Sequence, residues 1–230
     1  MSNELTQHSG RGIFRPGQTL TGLAAKKAAL AQAQLALKPE ERSPNAMEHR
    51  IGIVFDESGS MRAPQLAMAK EGVEEFLRSC ERDKTAVAVY PLGYYSKKIE
   101  LCAQLPAVAI MVKQIVTGST TPLVQRLQEM LAKNNLTRAI VFSDGQPDSY
   151  KDEQYKSILA SKIPVDTVYI SPHIREAEVA FLKKLASDTG GIYLQFEQGK
   201  SNFATAFKYL APGMRYMLAD KSFVAGLEGR

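Results

Sequence analysis

The stretch Ile51-Gly52-Ile53-Val54-Phe55-Asp56-Glu57-Ser58-Gly59-Ser60 decides the fold and locates the function. Its first half is a short apolar run of the kind that forms a buried strand. Its second half places an acid and two hydroxyls, Asp56, Ser58 and Ser60, at alternate positions on a turn that contains Gly59. Such a set can converge on one hard cation. In an open α/β sheet, ligands bind at the carboxyl ends of the strands, where this turn would lie.

Two more loops complete the pattern. Ser143-Asp144-Gly145 follows a second apolar run, Ala139-Ile140-Val141-Phe142. Gly118-Ser119-Thr120-Thr121-Pro122-Leu123 supplies hydroxyls just before a helical segment. Taken singly, each loop is a weak signal, because short polar side chains commonly cap helices or bond to nearby backbone. Three such loops in order carry far more weight.

Together they resemble the von Willebrand factor A family and its metal-ion-dependent adhesion site. That pattern is Asp-x-Ser-x-Ser, then a distant Thr, then a distant Asp. Asp56, Ser58 and Ser60 match the first loop, and Asp144 matches the third. Thr121 fits the second better than Thr120, since family members often read Gly-Gly-Thr-Pro-Leu there. The resemblance covers roughly residues 49–212. It implies an α/β, Rossmann-like fold: a mostly parallel central sheet with one antiparallel edge strand and helices on both faces. It further implies that Ser58 and Ser60 ligate an ion directly and Asp56 through water. Thr121 and Asp144 would trade direct for water-mediated contact. Glu57 stands where the family has a small or variable residue. It could serve as an extra outer-shell carboxylate, but adjacent extended positions face opposite ways, so Glu57 is expected to point into solvent.

The order of elements agrees with that fold. From residue 50 the chain alternates: strand 50–55, helix 63–82, strand 85–91, a turn at 92–95 and a short strand 97–102. The last two strands read as a hairpin, hence one antiparallel edge strand. Helical patterns near 106–115 and over 122–134 precede strand 138–143. A loop and helix across 148–161, strand 164–170, helix 174–188, strand 191–196 and helix 201–211 follow. Strand–helix alternation of this kind implies a largely parallel, covered sheet. Before it, residues 1–19 are polar and Gly-rich and read as an arm. Residues 20–37 are Ala-rich with spaced leucines and read as an amphipathic helix, and 38–45 as a linker. The expected organisation is therefore an N-terminal arm and helix (1–48), the main domain (49–212) and a C-terminal tail (213–230).

Composition sets limits. The chain has 230 residues, 44% hydrophobic and 23% charged, as in an ordinary soluble protein. No run approaches the ~20 apolar residues of a membrane span, and the N-terminus lacks a secretory pattern. A cytoplasmic location is expected, with Cys80 and Cys102 as free, mostly buried thiols. A net charge of +5 permits an acidic partner without arguing for nucleic acid, and no nucleic-acid motif or basic run is present.

All candidate ligands are oxygens, which suits Mg²⁺ or Mn²⁺ and not zinc or copper. With few anionic ligands, an ion there would take a Glu or Asp from a protein partner, the binding mode the resemblance implies. Residues just beyond the strands would set specificity: Arg62 and Tyr95 first, then Gln65, Tyr94, Lys97, Lys98, Gln146, Asp148, Tyr150 and His173. Intracellular members of the family act as adaptors for MoxR-type AAA+ ATPases, so such a partner is one expectation. The alternatives are a structural or assembly protein, for example of a bacteriophage, acting through its N-terminal arm or as a homo-oligomer, and a metal-dependent phosphohydrolase. The last is disfavoured because residue 58 is Ser where a phosphoaspartyl motif wants Asp, and Ser60 has no evident base. The expectation is a binding module, not an enzyme.

Overall fold

Strand β1, His49–Phe55, forms where the sequence is most apolar, and its last five residues are buried. Alternation along it divides the core, with Ile51, Ile53 and Phe55 facing one side and Val54 the other. A computed structural model describes residues 43–61, 63–93, 96–118, 122–145, 147–171, 176–197 and 207–212. The expected arm, the helix over 20–37 and the tail over 213–230 lie outside these residues.

Five more strands join β1: β2 (Thr85–Pro91), β3 (Ile99–Cys102), β4 (Arg138–Ser143), β5 (Val165–Ser171) and β6 (Tyr193–Glu197). They lie in the order β3-β2-β1-β4-β5-β6. Every neighbouring pair is parallel except β2 and β3, which are antiparallel. This is the mostly parallel sheet with one antiparallel edge strand that the sequence predicts. The edge strand begins at Ile99, two residues later than expected, and its pairing with β2 shifts register between Val87 and Val89.

Helices cover both faces. Leu66, Ala69, Val73 and Phe76 of α1 (Ala63–Ser79) and Leu105, Val108 and Val112 of α2 (Leu105–Lys113) pack on the Ile51 side. Phe207 and Leu210 close that core, with the Phe207 ring stacked on Phe142 at 4.8 Å. The Val54 side is filled from α3 (Leu123–Lys133), α4 (Asp152–Ala160) and α5 (Glu176–Thr189). Pro122 sits just ahead of α3 and Lys133 in its last turn, as the macrodipole favours.

The stretch before β1 also packs on the domain. After a 3₁₀ turn at Pro44–Ala46, Met47 is buried against Ala86 and Ala103. One buried ion pair spans two strands. Arg138 Nε lies 2.7 Å from Asp166 Oδ2, while Arg138 Nη2 donates to the Leu210 carbonyl at 2.6 Å. Asp166 Oδ1 accepts the Ile192 amide at 2.9 Å.

Connectivity positions the site. The chain leaves β1 for β2 on one side, and after β3 it crosses back to β4 on the other. The seam between β1 and β4 is therefore the switch point, and ligands bind outside the carboxyl ends at such a point. Among the described residues, no helix is long and apolar enough to cross a membrane.

Candidate functional site

Register brings the first and third loops together. Phe55 pairs with Phe142 across the β1–β4 seam, so the next residues, Asp56 and Ser143, are neighbours. The Asp56 amide continues the ladder to the Phe142 carbonyl at 2.9 Å. Asp56 is fully buried, and both of its carboxylate oxygens are engaged. Oδ1 accepts the Ser58 amide at 2.8 Å and Oδ2 accepts the Ser143 hydroxyl at 2.6 Å. Burial pushes the Asp56 carboxyl above the usual carboxylate range, against the Ser143 and Ser58 hydrogen bonds that pull it down.

From Ser58 the contacts run outward. Ser58 Oγ lies 2.9 Å from Ser60 Oγ, and the Ser60 hydroxyl donates to Asp144 Oδ1 at 2.9 Å. Ser58 is buried, Ser60 exposed and Asp144 half-buried, so the cluster grades from dry protein to solvent. Four of the five candidate ligands thus meet at one place: Asp56, Ser58, Ser60 and Asp144. The fifth, Thr121, lies outside the described residues, as do Arg62 and Tyr95, and with them Tyr94, Gln146 and His173. Among the described residues, no three or more His, Cys, Asp or Glu side chains cluster as a metal site. Any ion here would rest on two carboxylates and on hydroxyls.

The donor set, carboxylate and hydroxyl oxygens alone, suits a hard ion. The Ser58–Ser60 and Ser60–Asp144 contacts, both 2.9 Å, are hydrogen bonds that hold these oxygens together.

Other expectations for the surface are corrected. Glu57 does not point into solvent; it is completely buried. β1 ends at Phe55, so the alternation of an extended chain does not carry to residue 57. Its Oε2 accepts the Ser96 hydroxyl at 2.7 Å, and Oε1 has no hydrogen-bond partner. Burial raises the Glu57 carboxyl above its ordinary range, and the Ser96 bond and the nearby Gly93 amide offset part of that rise. Gln65 is buried in the first turn of α1 and is no surface contact. Lys98 is committed internally, 2.5 Å from Glu129 and above the Tyr90 ring. Asp148 and Tyr150 do line a pocket of about 210 Å³, together with Pro122, Gln125 and Gln154. Tyr150 is partly exposed there and packs on Tyr155 and Phe181. Ser143 is the residue that sequence reasoning missed, and the strand register could have flagged it; Glu57 stood out in the sequence, but nothing local to it foretells its burial.

No known protein-family profile matches the chain, and no curated protein matches it in sequence. Solved structures do. An aerotolerance-related membrane protein from Bacteroides fragilis aligns with a TM-score of 0.57 at 16% identity, over 74% of this chain and 98% of that one. The pilus adhesin SpaC from Lactobacillus rhamnosus, in an open conformation, aligns with a TM-score of 0.52 at 14% identity. That match covers 79% of this chain and 30% of the adhesin. The fold is von Willebrand factor A-like. A more partial alignment, with a TM-score of 0.34 at 15% identity, is to the vWF domain of a type V pili tip protein from Porphyromonas gingivalis. It covers 42% of this chain and 38% of that one, and no argument rests on it. In this von Willebrand factor A-like domain the loops with Asp56 and Asp144 stand at the carboxyl end of the sheet.

Proposed function

We propose that the chain is a divalent-metal-dependent protein–protein interaction module that binds a partner's Glu or Asp carboxylate through a metal ion. The observation that carries this reading is the convergence of Asp56, Ser58, Ser60 and Asp144, linked by hydrogen bonds at the switch point of the sheet. Asp56, Ser58, Ser60, Thr121 and Asp144 would hold Mg²⁺ or Mn²⁺. The ion, when bound, supplies a positive centre short of anionic ligands, to which a partner carboxylate is attracted. The residues divide the work. Asp56, pinned by Ser143 and the Ser58 amide, fixes the turn, while Ser60 and Asp144 face solvent.

A binding role is favoured over phosphoryl transfer because residue 58 is Ser where a phosphoaspartyl motif has a second Asp. Arg62, Tyr95 and the pocket at Tyr150 would set specificity beside the ion. We further propose a cytoplasmic setting, in which a MoxR-type AAA+ ATPase is one fitting partner.

The test is a pull-down from the native cell extract with wild type and Asp144→Ala, run with Mg²⁺ and again with EDTA. The expected result is a partner held only by wild type with Mg²⁺. A partner retained under every condition would refute ion bridging and shift the binding role to residues 1–48.

A further inference from the structure

Helix α2 is apolar on the side that the core does not use. Leu105, Val108 and Val112 pack inward, while Pro106 and Ile110 stand exposed. A helix that is apolar all round is ordinarily covered on every side. Among the described residues, Ile110 is the most exposed of the large hydrophobics at 60%. Met111, on the same helix, and Val116, just after it, are also exposed. Exposed hydrophobics gathered in one place mark interaction sites, whereas scattered ones need no explanation.

Ile110 does not stand on a flat face. With Leu77 of α1, and with Leu105 and Ala109, it lines a groove of about 310 Å³ between α2 and the second half of α1. Three cations, Arg78, Arg82 and Lys113, border this groove against one anion, Glu74. Glu74 is already shared, at 3.2 Å from Arg78 and 3.3 Å from Lys113. Arg78 also holds Glu75 at 3.0 Å. Arg82 is exposed in the turn before β2 and makes no ion pair among the described residues. The groove therefore joins an apolar floor to surplus positive charge. The nine residues of α2 extend about 13 Å at about 1.5 Å per residue, enough to seat two to three turns of another helix.

We propose that this groove is a protein-docking surface separate from the ion site, and that its occupant is an acidic, amphipathic helical segment of a partner. The apolar side of that segment lies between α1 and α2, and its carboxylates meet Arg78, Arg82 and Lys113. Charge complementarity selects this occupant. A second copy of the chain docking by the same face would set cation against cation. The chain's own stretch 20–38 holds Lys26, Lys27 and Lys38 and no acid, so it carries the wrong charge. An anionic bilayer is disfavoured by the concave shape and by Glu74 within it. The groove runs along the half of α1 farther in the chain from residues 56–60, so docking needs no ion.

The experiment is a fluorescence anisotropy titration of the full chain in EDTA. The probe is a capped, fluorescein-labelled peptide of about 14 residues, with Leu at helical spacing (i, i+3, i+4, i+7) and Glu elsewhere. Its controls are a scrambled peptide of the same composition and a copy with Lys for every Glu. Wild type is expected to bind the Leu–Glu peptide and neither control. Ile110→Asp and Arg82→Glu, both at exposed positions and checked for folding by thermal melts, should each weaken binding about tenfold. Ile110→Leu should bind as wild type does. No binding in EDTA, equal binding of either control, or unchanged affinity in both variants would overturn the proposal. A peptide held only when Mg²⁺ is added would lie at the ion site, which overturns this proposal and leaves the metal reading standing. Vesicles of phosphatidylcholine and phosphatidylglycerol are the second probe. Co-sedimentation that Ile110→Asp abolishes, without peptide binding, would make the groove a membrane contact and overturn the protein occupant.

Discussion

Replacing Asp144 with Ala should erase the response of the fold to Mg²⁺ while leaving the fold itself nearly intact. Asp144 is half-buried, and it accepts the Ser60 hydroxyl at 2.9 Å. Losing one such bond at the edge of solvent costs about 1 kcal/mol. For a domain of about 150–250 residues that lowers Tm by about 2–4 °C. The contribution of the proposed ion is larger. A ligand present at a hundred times its Kd stabilises the native state by about 2.7 kcal/mol, so saturating Mg²⁺ should raise the wild-type Tm by about 5–11 °C over EDTA. Differential scanning fluorimetry of both proteins, each with EDTA and with a Mg²⁺ series, reads the two effects separately. The variant should melt slightly below wild type in EDTA and show no Mg²⁺-dependent rise. A folded Asp144→Ala protein with the full wild-type rise would refute the placement of the ion.

Three other outcomes follow from the packing. Asp166→Ala leaves the Arg138 guanidinium buried without its carboxylate, and urea unfolding should show a loss of about 3–5 kcal/mol. Glu129 is held down to about 2 by Lys98 first and then by Lys133 and Arg126. Its folded pKa is lowered, so its contribution is present above the ordinary carboxylate pKa and is lost as pH falls toward 2. A Glu129→Gln variant should therefore show a shallower loss of stability over that acid range than wild type, measured by urea midpoints across pH. Burial pushes the Cys80 thiol up to about 12, so a thiol reagent should label half-buried Cys102 well before Cys80, with Cys80 reacting only on unfolding.

The parts of the fold that were legible in the sequence are those set by local pattern. The runs 51–55 and 139–142 are apolar at every position but Gly52, and they became the central strands of the sheet. Asp56, Ser58, Ser60 and Asp144 could be assembled because they stand just past those strands, where parallel pairing brings the ends together. What failed depends on partners far away in the chain. Glu57 is enclosed by Gly93, Ser96 and Gly118, none of them local to it. Lys98 looks like a free surface charge until Glu129, on another element, comes within 2.5 Å. Gln65 follows Pro64 in a polar-looking first turn, yet it is buried. Local alternation also misled at the strand end, since it assumes an extended chain and β1 stops at Phe55.

The hydrogen bond from Ser143 to Asp56 joins residues 87 apart in sequence, across the parallel seam of β1 and β4. Contacts of such separation close late, because the loop entropy must be met before the pairing rewards it. The cluster of Asp56, Ser58, Ser60 and Asp144 therefore cannot exist in a half-built chain. Its oxygens assemble only when the middle of the sheet has zipped, after two other strands and three helices have been threaded between its halves. Partner recruitment would then double as a certificate of maturity: a nascent or damaged copy would be invisible to the partner, with no separate quality-control signal required.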